Sequence, residues 1–287
     1  MKPNISFKCA RGFTLIELLA GFFIMFVVLG LAWVAVSGML ENQRVNESER
    51  QLATIRERLI DFAVRNGRLP CPADPQSVGG ADYGEEWMVD TAGPNVARVC
   101  GSTNQAYPAL HASGAVPWAT LRVAQTDPWG QRYVYTVDSS WAEIDDRCDP
   151  IGLPRLPACA RPFPPVAATA LQVQTRRDPG TPSQAIALDL AAVVVSHGSN
   201  GLGGYREDAT RRPFAPGADE IANHLPMGTG AGTSFAPVFD YRLRTRTPAS
   251  AICNDAAGPG FCEFDDQAVY IPRHILIARL VEAGRVR

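Results

Sequence analysis

From Leu18 to Leu40 the chain carries no charged residue. At ~1.5 Å of rise per helical residue, this run is long enough to cross about 30 Å of hydrocarbon. The pattern therefore predicts one membrane-spanning helix. The apolar rhythm continues beyond it into ENQRVNESERQLATIRERLIDFAVRNG. Val45, Leu52, Ile55, Leu59, Phe62 and Ala63 recur at helical spacings, until Asn66-Gly67 and Pro70 end the pattern. The prediction is a single helix of roughly fifty residues, half in lipid and half laid by its apolar face on a folded domain.

The rest of the chain reads differently. LPCPADPQ is a proline-rich, rigid exit from the helix. DPWG is a turn, and Tyr133, Tyr135 and Val137 after it alternate as in a strand. AIALDLAAVVVSHGSNG predicts one buried strand ending in a glycine-rich loop. FDDQAVYIPRHILIARLVEAGR predicts a strand and then a short C-terminal helix, with Asp265 and Asp266 on opposite faces of that strand. The stretch near 145–182 is rich in Pro and Arg with weak periodicity, and reads as a long surface insertion. The fold class is α+β: a long N-terminal helix, transmembrane in its first half, packed on an antiparallel sheet.

Composition and charge sharpen this division. The chain has 287 residues, 46% hydrophobic and 20% charged, which suits a globular protein with a core. A net charge of -2 without long runs of one sign argues against a nucleic-acid partner. Lys2 and Lys8 are the only lysines, and with Arg11 they make a basic flank ahead of the apolar run. That flank places the N-terminus in the cytoplasm and everything after Leu40 on the far side. A cleaved secretory signal is the competing reading. The apolar run is longer than such a signal's core, and no small-x-small cleavage site closes it.

One acid interrupts the opening of the helix: Glu17, within RGFTLIELLAGF. A charge in hydrocarbon costs a few kcal/mol or more unless it is partnered, so Glu17 is a functional candidate. Gly12 followed by Phe13-Thr14-Leu15-Ile16-Glu17, with the basic leader and the long helix, resembles the type IV pilin family, including the pseudopilins of type II secretion. The resemblance implies a leader, residues 1–12, cut after Gly12 by a prepilin peptidase, then methylation of the new N-terminal residue Phe13. It implies a filament-core helix over 13–40, its amphipathic continuation over 41–66, and a periplasmic domain over 67–287. Glycine before the scissile bond admits conformations that a side chain would hinder. Cleavage creates a cationic amine at Phe13, which Glu17 of a neighbouring subunit can neutralise, so that correct register is rewarded. The implied partners are the peptidase, other pilin or pseudopilin subunits and the inner-membrane assembly platform. The implied function is a structural subunit of a pilus or secretion filament, first in the inner membrane and then in the filament. The alternative is a filament-tip adhesin or substrate-binding subunit that uses the enlarged domain, with Trp118, Trp129 and Trp141 either exposed for recognition or buried in the sheet core.

Cysteine usage agrees with export. Of seven cysteines Cys9 leaves with the leader, and Cys71, Cys100, Cys148, Cys159, Cys253 and Cys262 remain. Short loops close most readily, which favours Cys71 with Cys100, Cys148 with Cys159 and Cys253 with Cys262, free thiols being the alternative. No CxxC occurs and His111, His197, His224 and His274 are scattered, so zinc is disfavoured. DPWGQRYVY, VVVSHGSNG and FDDQAVYI resemble, in order, segments of the major pseudopilin branch, whose members bind calcium through oxygens in the loop before and around the last strand. Calcium is the one cofactor this implies. The candidate oxygens are those of Ser196, Asn200, Asp208, Asp219, Glu220, Asn223, Asp265 and Asp266. Turn and capping roles are the alternative for Asn200, Asp219 and Asn223. The loop departs from that branch in carrying His197 and Asn200. Ser196-His197 lacks a GxSxG elbow, and SHGSNGLGG lacks the Lys-Ser/Thr of a phosphate cradle, so no enzymatic activity is expected.

Overall fold

The computed structural model describes residues 15–90, 97–101, 111–142, 144–145, 171–224 and 240–284, and only the backbone of 31–37, 90, 97–99 and 144–145. The predicted leader with Gly12 and Phe13, and the pair Cys148 and Cys159, lie outside these residues. The architecture is α+β: a long N-terminal helix followed by largely antiparallel sheets. The chain divides into two units, one up to Val45 and one from Asn46 onward.

Helix α1 spans Leu15–Asn66, 52 residues, close to the length its periodicity predicts. It stops where the sequence says: Gly67 takes φ +73° and its N–H bonds the Ala63 carbonyl at 2.7 Å, a left-handed helix end that glycine adopts without Cβ strain. The described apolar side chains of the first unit, from Leu15 to Leu29 and at Met39 and Leu40, are exposed. Among the described residues no helix is long and apolar enough to cross a membrane. The uncharged run Leu18–Leu40 includes residues 31–37, whose side chains lie outside that description.

In the second unit the elements follow in chain order: β1 (Met88–Asp90), β2 (Ala97–Cys100), β3 (His111–Ala115), α2 (Trp118–Leu121), β4 (Val134–Asp138), α3 (Ser139–Ala142), β5 (Ile144–Asp145), β6 (Gln172–Thr175), β7 (Gln184–Ala187), β8 (Leu190–Ser196), α4 (Ala218–Ile221), β9 (Asp240–Arg242), β10 (Gln267–Pro272) and α5 (Arg273–Glu282). The central sheet is antiparallel in the order β10-β8-β4-β3, with Val134 opposite Val195 and Val194 opposite Val269.

Period-two alternation gives this sheet two buried faces. Tyr133, Tyr135, Val137, Ala192 and Val194 pack with Leu52, Ile55, Leu59, Ile60 and Ala63 of α1 and with Leu276 and Leu280 of α5. The alternate positions Val134, Val193 and Val195 pack with Leu171, Val173 and Tyr241. This explains the unbroken valine run in β8, since both faces of the strand are covered. Full burial of each such side chain contributes about 1.5–3 kcal/mol, so the second half of α1 is fastened by its apolar stripe. Trp118 and Trp141 are buried and Trp129 is half-buried, which places the first two in the core rather than on a recognition surface.

Three expectations need correction. AIALDLAAVVV is two strands, not one: β7 ends before Leu188, Asp189 takes φ +57°, and β8 starts at Leu190. The Asp189 carboxylate meets Arg273 at 2.9 Å, and Arg273 also bonds Asp138, so the kink is tied to the start of α5. The segment 145–182 is not all surface insertion, because β6 lies within it with Val173 buried. This strand pairs antiparallel with β7 and parallel with β9, an exception to the otherwise antiparallel pairing. Finally, Asp265 and Asp266 precede β10 instead of alternating along it, and both are buried. Disulfides join Cys71 to Cys100 and Cys253 to Cys262.

Candidate functional site

Beyond the C-terminal end of β8, the glycine-rich loop, α4 and the residues leading into β10 converge. Gly198, at φ +59°, lies so close to Asp265 that a Cβ there would stand 2.4 Å from the Asp265 carbonyl oxygen. The close approach lets the loop hold Asp265: Ser199 Oγ and Asn200 N donate to its Oδ2 at 2.6 and 2.8 Å. Asn200 Nδ2 donates to Glu220 Oε1 at 2.9 Å, and Asn223 Nδ2 to Asp266 Oδ2 at 2.8 Å. One oxygen of each acid is thus held by protein donors.

The other oxygen of each is held less or not at all. Glu220 Oε2 and Asp265 Oδ1 are buried without a hydrogen-bond partner and Asp266 Oδ1 meets only His197 Nδ1, at 3.5 Å, although the three residues are only 1%, 4% and 3% exposed. One oxygen from each acid lies within 4.8 Å of the others. Such burial is unfavourable for carboxylates unless a cation or a proton compensates it. Burial first, and then the charge of Asp266, push the Glu220 carboxyl up to about 8. Burial also raises Asp266, with His197 opposing it from 3.5 Å. The donor set consists of hard oxygens carrying negative charge, and it fits a hard divalent cation such as calcium. Three carboxylates would supply most of the charge, and further oxygens would be needed for the six to eight that calcium takes.

The other candidate ligands are committed elsewhere. Ser196 Oγ donates to Asp127 Oδ2 at 2.7 Å. Asp219 faces Arg176, Arg242 and Arg244 at 3.1–3.5 Å. Asn200 Oδ1 accepts the Leu202 N–H and Asn223 Oδ1 the Arg242 N–H. Asp208 is an exposed turn residue that accepts from Thr210, and this holds its carboxyl below its usual value. So the turn alternative describes Asn200, Asn223 instead docks on the backbone of Arg242 in β9, and Glu220, Asp265 and Asp266 come together.

At the other end of the chain, Glu17 stands exposed in the first turn of α1. A carboxylate there complements the positive end of the helix dipole. Residues 7–33, which enclose it, match the family model of the prokaryotic N-terminal methylation motif. The chain carries a type IV prepilin signal. Gly12, Phe13 and Glu17 all lie within the matched range, and the proteins this signal marks are structural subunits. Comparisons with curated proteins and with solved structures gave no match to the chain.

Beside the acid cluster lies a buried histidine pair to which the sequence assigns no role. The rings of His197 and His224 meet edge to face at 5.8 Å, and Phe214 lies 5.3 Å from His224. Burial first, then His197 and Arg211, lower His224 to about 3. Its folded-state affinity for a proton is below the unfolded one, so its contribution to stability is complete above about 6.5 and is lost as pH falls toward 3. Expected result: between pH 7 and pH 4 the melting temperature of wild type falls more steeply than that of His224→Gln. Parallel slopes would exclude His224 as a source of the acid sensitivity. Ser199, which orients Asp265, also escaped the sequence reading. Its position next to Asn200 in the glycine-rich loop was the available signal.

Proposed function

We propose that the chain is a minor pilin or pseudopilin, cut after Gly12, methylated on Phe13 and inserted into a filament through α1. The prepilin signal over residues 7–33 carries this reading. Before assembly the helix from Phe13 to Leu40 anchors the chain in the inner membrane, with the domain in the periplasm. The uncharged run Leu18–Leu40 and the basic leader support this placement. The two disulfides among the described residues suit an oxidising compartment. The exposed apolar side chains of the first half of α1 suit a surface that lipid covers before assembly and neighbouring helices cover afterwards. The prepilin peptidase, other pilin subunits and the assembly platform are the partners of such a cycle.

Shearing and fractionation test the reading. Filaments sheared from cells should contain the processed chain, and its ratio to the major subunit should be small and reproducible. Absence from both pilus and secretion-filament fractions would overturn the proposal. Confinement to filament tips would instead favour the adhesin or substrate-binding alternative.

The unpartnered oxygens of Glu220 and Asp265, with the Asp266 carboxylate beside them, support a second element: the domain binds calcium there. The cation's role is structural. It neutralises three buried acids and ties α4 to the segment entering β10. No step of chemistry is assigned to it.

A further inference from the structure

The loop closed by the Cys253–Cys262 disulfide contains a buried acid that takes no part in the cluster. Asp255 is 1% exposed, and its two oxygens point in different structural directions. Oδ1 accepts the N–H of Cys262 at 2.9 Å and Arg244 Nη2 at 3.2 Å. Oδ2 accepts the N–H of Asp219 at 3.2 Å, in the first turn of α4 and one residue before Glu220. On the other side of the bridge, Cys262 stands three residues before Asp265. Between them Phe264 pairs with Thr247 through two backbone hydrogen bonds, at 2.9 and 3.1 Å. The Cys262 carbonyl accepts from Thr247 Oγ1 at 2.6 Å and from Arg244 at 3.1 Å.

Both acid-bearing segments are therefore tied to the same closed loop, Asp265 and Asp266 by the chain itself and Glu220 through the hydrogen bond from Asp219 N to Asp255. Gly217, just ahead of α4, marks how tightly they meet. A Cβ there would stand 2.8 Å from Asp255 Oδ2 and 2.9 Å from Cys262 Cβ.

We infer that the Cys253–Cys262 loop is the frame of the cation site, with Asp255 as its positioning residue. It holds Glu220 on α4 against Asp265 and Asp266, and so couples the disulfide to the bound ion. This inference rests on the calcium reading of the cluster. The physical argument is preorganisation. Three like charges separate when nothing holds them, and a cation that must first gather them binds more weakly. By linkage, a cation that binds better with the bridge intact also protects the bridge.

The full chain, purified in detergent, is titrated with calcium by calorimetry. Wild type should bind; Asp255→Ala, and separately the double change Cys253→Ser with Cys262→Ser, should each weaken the affinity at least tenfold. Asp255→Asn, which keeps one acceptor oxygen, should fall between. A purely structural role would lower the melting temperature of the calcium-free variants and leave their affinity unchanged, and that outcome overturns the inference. A second measurement needs no variant: reduction of wild type by a dithiol, followed by alkylation and peptide mapping. Calcium should slow the appearance of thiols at Cys253 and Cys262 severalfold and leave Cys71 and Cys100 unaffected. Equal rates with and without calcium overturn the coupling. Wild type that takes up no calcium overturns the cation reading itself, whereas binding by wild type with unchanged variants overturns only the frame.

Discussion

Removing calcium from the wild-type chain at neutral pH should lower its melting temperature by about 5–10 °C. A ligand at a hundred times its dissociation constant contributes about 2.7 kcal/mol to the folded state. In a folded unit of this size each kcal/mol shifts the midpoint by about 2–4 °C. Glu220→Gln keeps the shape of a carboxyl that burial already holds largely protonated at neutral pH without a cation, and removes the charge that calcium would recruit. The calcium-free variant should therefore melt close to calcium-free wild type, while the increment from calcium disappears. Asp266→Asn should lose the increment as well. Scanning calorimetry with calcium and with chelator checks both. An undiminished increment in either variant would place the ion elsewhere, and no increment in wild type would leave the clustered acids to be compensated by protons.

Glu17→Ala should leave processing intact and reduce the amount of the subunit in sheared filaments at least tenfold. The carboxylate lies just ahead of the uncharged run Leu18–Leu40, where a charge in a nonpolar surrounding costs several kcal/mol unless it is paired. On the proposed assembly, the amine that cleavage frees at Phe13 of a neighbouring subunit pairs with it in the filament, so that the correct register is rewarded. Alanine removes both the cost and the reward, so the helix remains membrane-compatible and loses its register signal. Glu17→Asp, with a shorter reach, should recover part of the incorporation. Quantitative immunoblotting of cell and filament fractions separates a processing defect from an assembly defect. Normal incorporation of the alanine variant would sink the pairing argument.

Local signals made much of the fold legible. The length of α1 followed from the spacing of Leu52, Ile55, Leu59 and Ala63 and from Asn66-Gly67. The two described disulfides are the pairings favoured by short loops. What escaped depends on partners distant in sequence. The break at Asp189 is invisible in an apolar run because Arg273, which holds it, lies far along the chain. Strand β6 hides in a Pro- and Arg-rich stretch because its burial is decided by Tyr241 and β8.

The acid cluster shows the same limit. Eight oxygen-bearing residues were candidates, and sequence could not say which would meet arginine. Asp219 and Glu220 are adjacent, yet Arg176, Arg242 and Arg244 take the first and leave one oxygen of the second without a partner. Alternation along a strand separated Asp265 from Asp266 on paper. Both precede β10, where alternation does not apply, and both point into one site. Asp255 stood in plain view between two close cysteines, but its role appears only once the N–H groups it accepts are seen.

The central claim is that this chain is a prepilin whose mature form begins at Phe13. Mass spectrometry of the intact protein from cells that hold the peptidase tests it directly. The expected mass is that of residues 13–287 with one added methyl group, reduced by the hydrogens lost in each disulfide, and the uncut mass should return when the peptidase is deleted or Gly12 is replaced by a bulkier residue. A mature chain that still begins at Met1, or that is cut anywhere other than between Gly12 and Phe13, would contradict it.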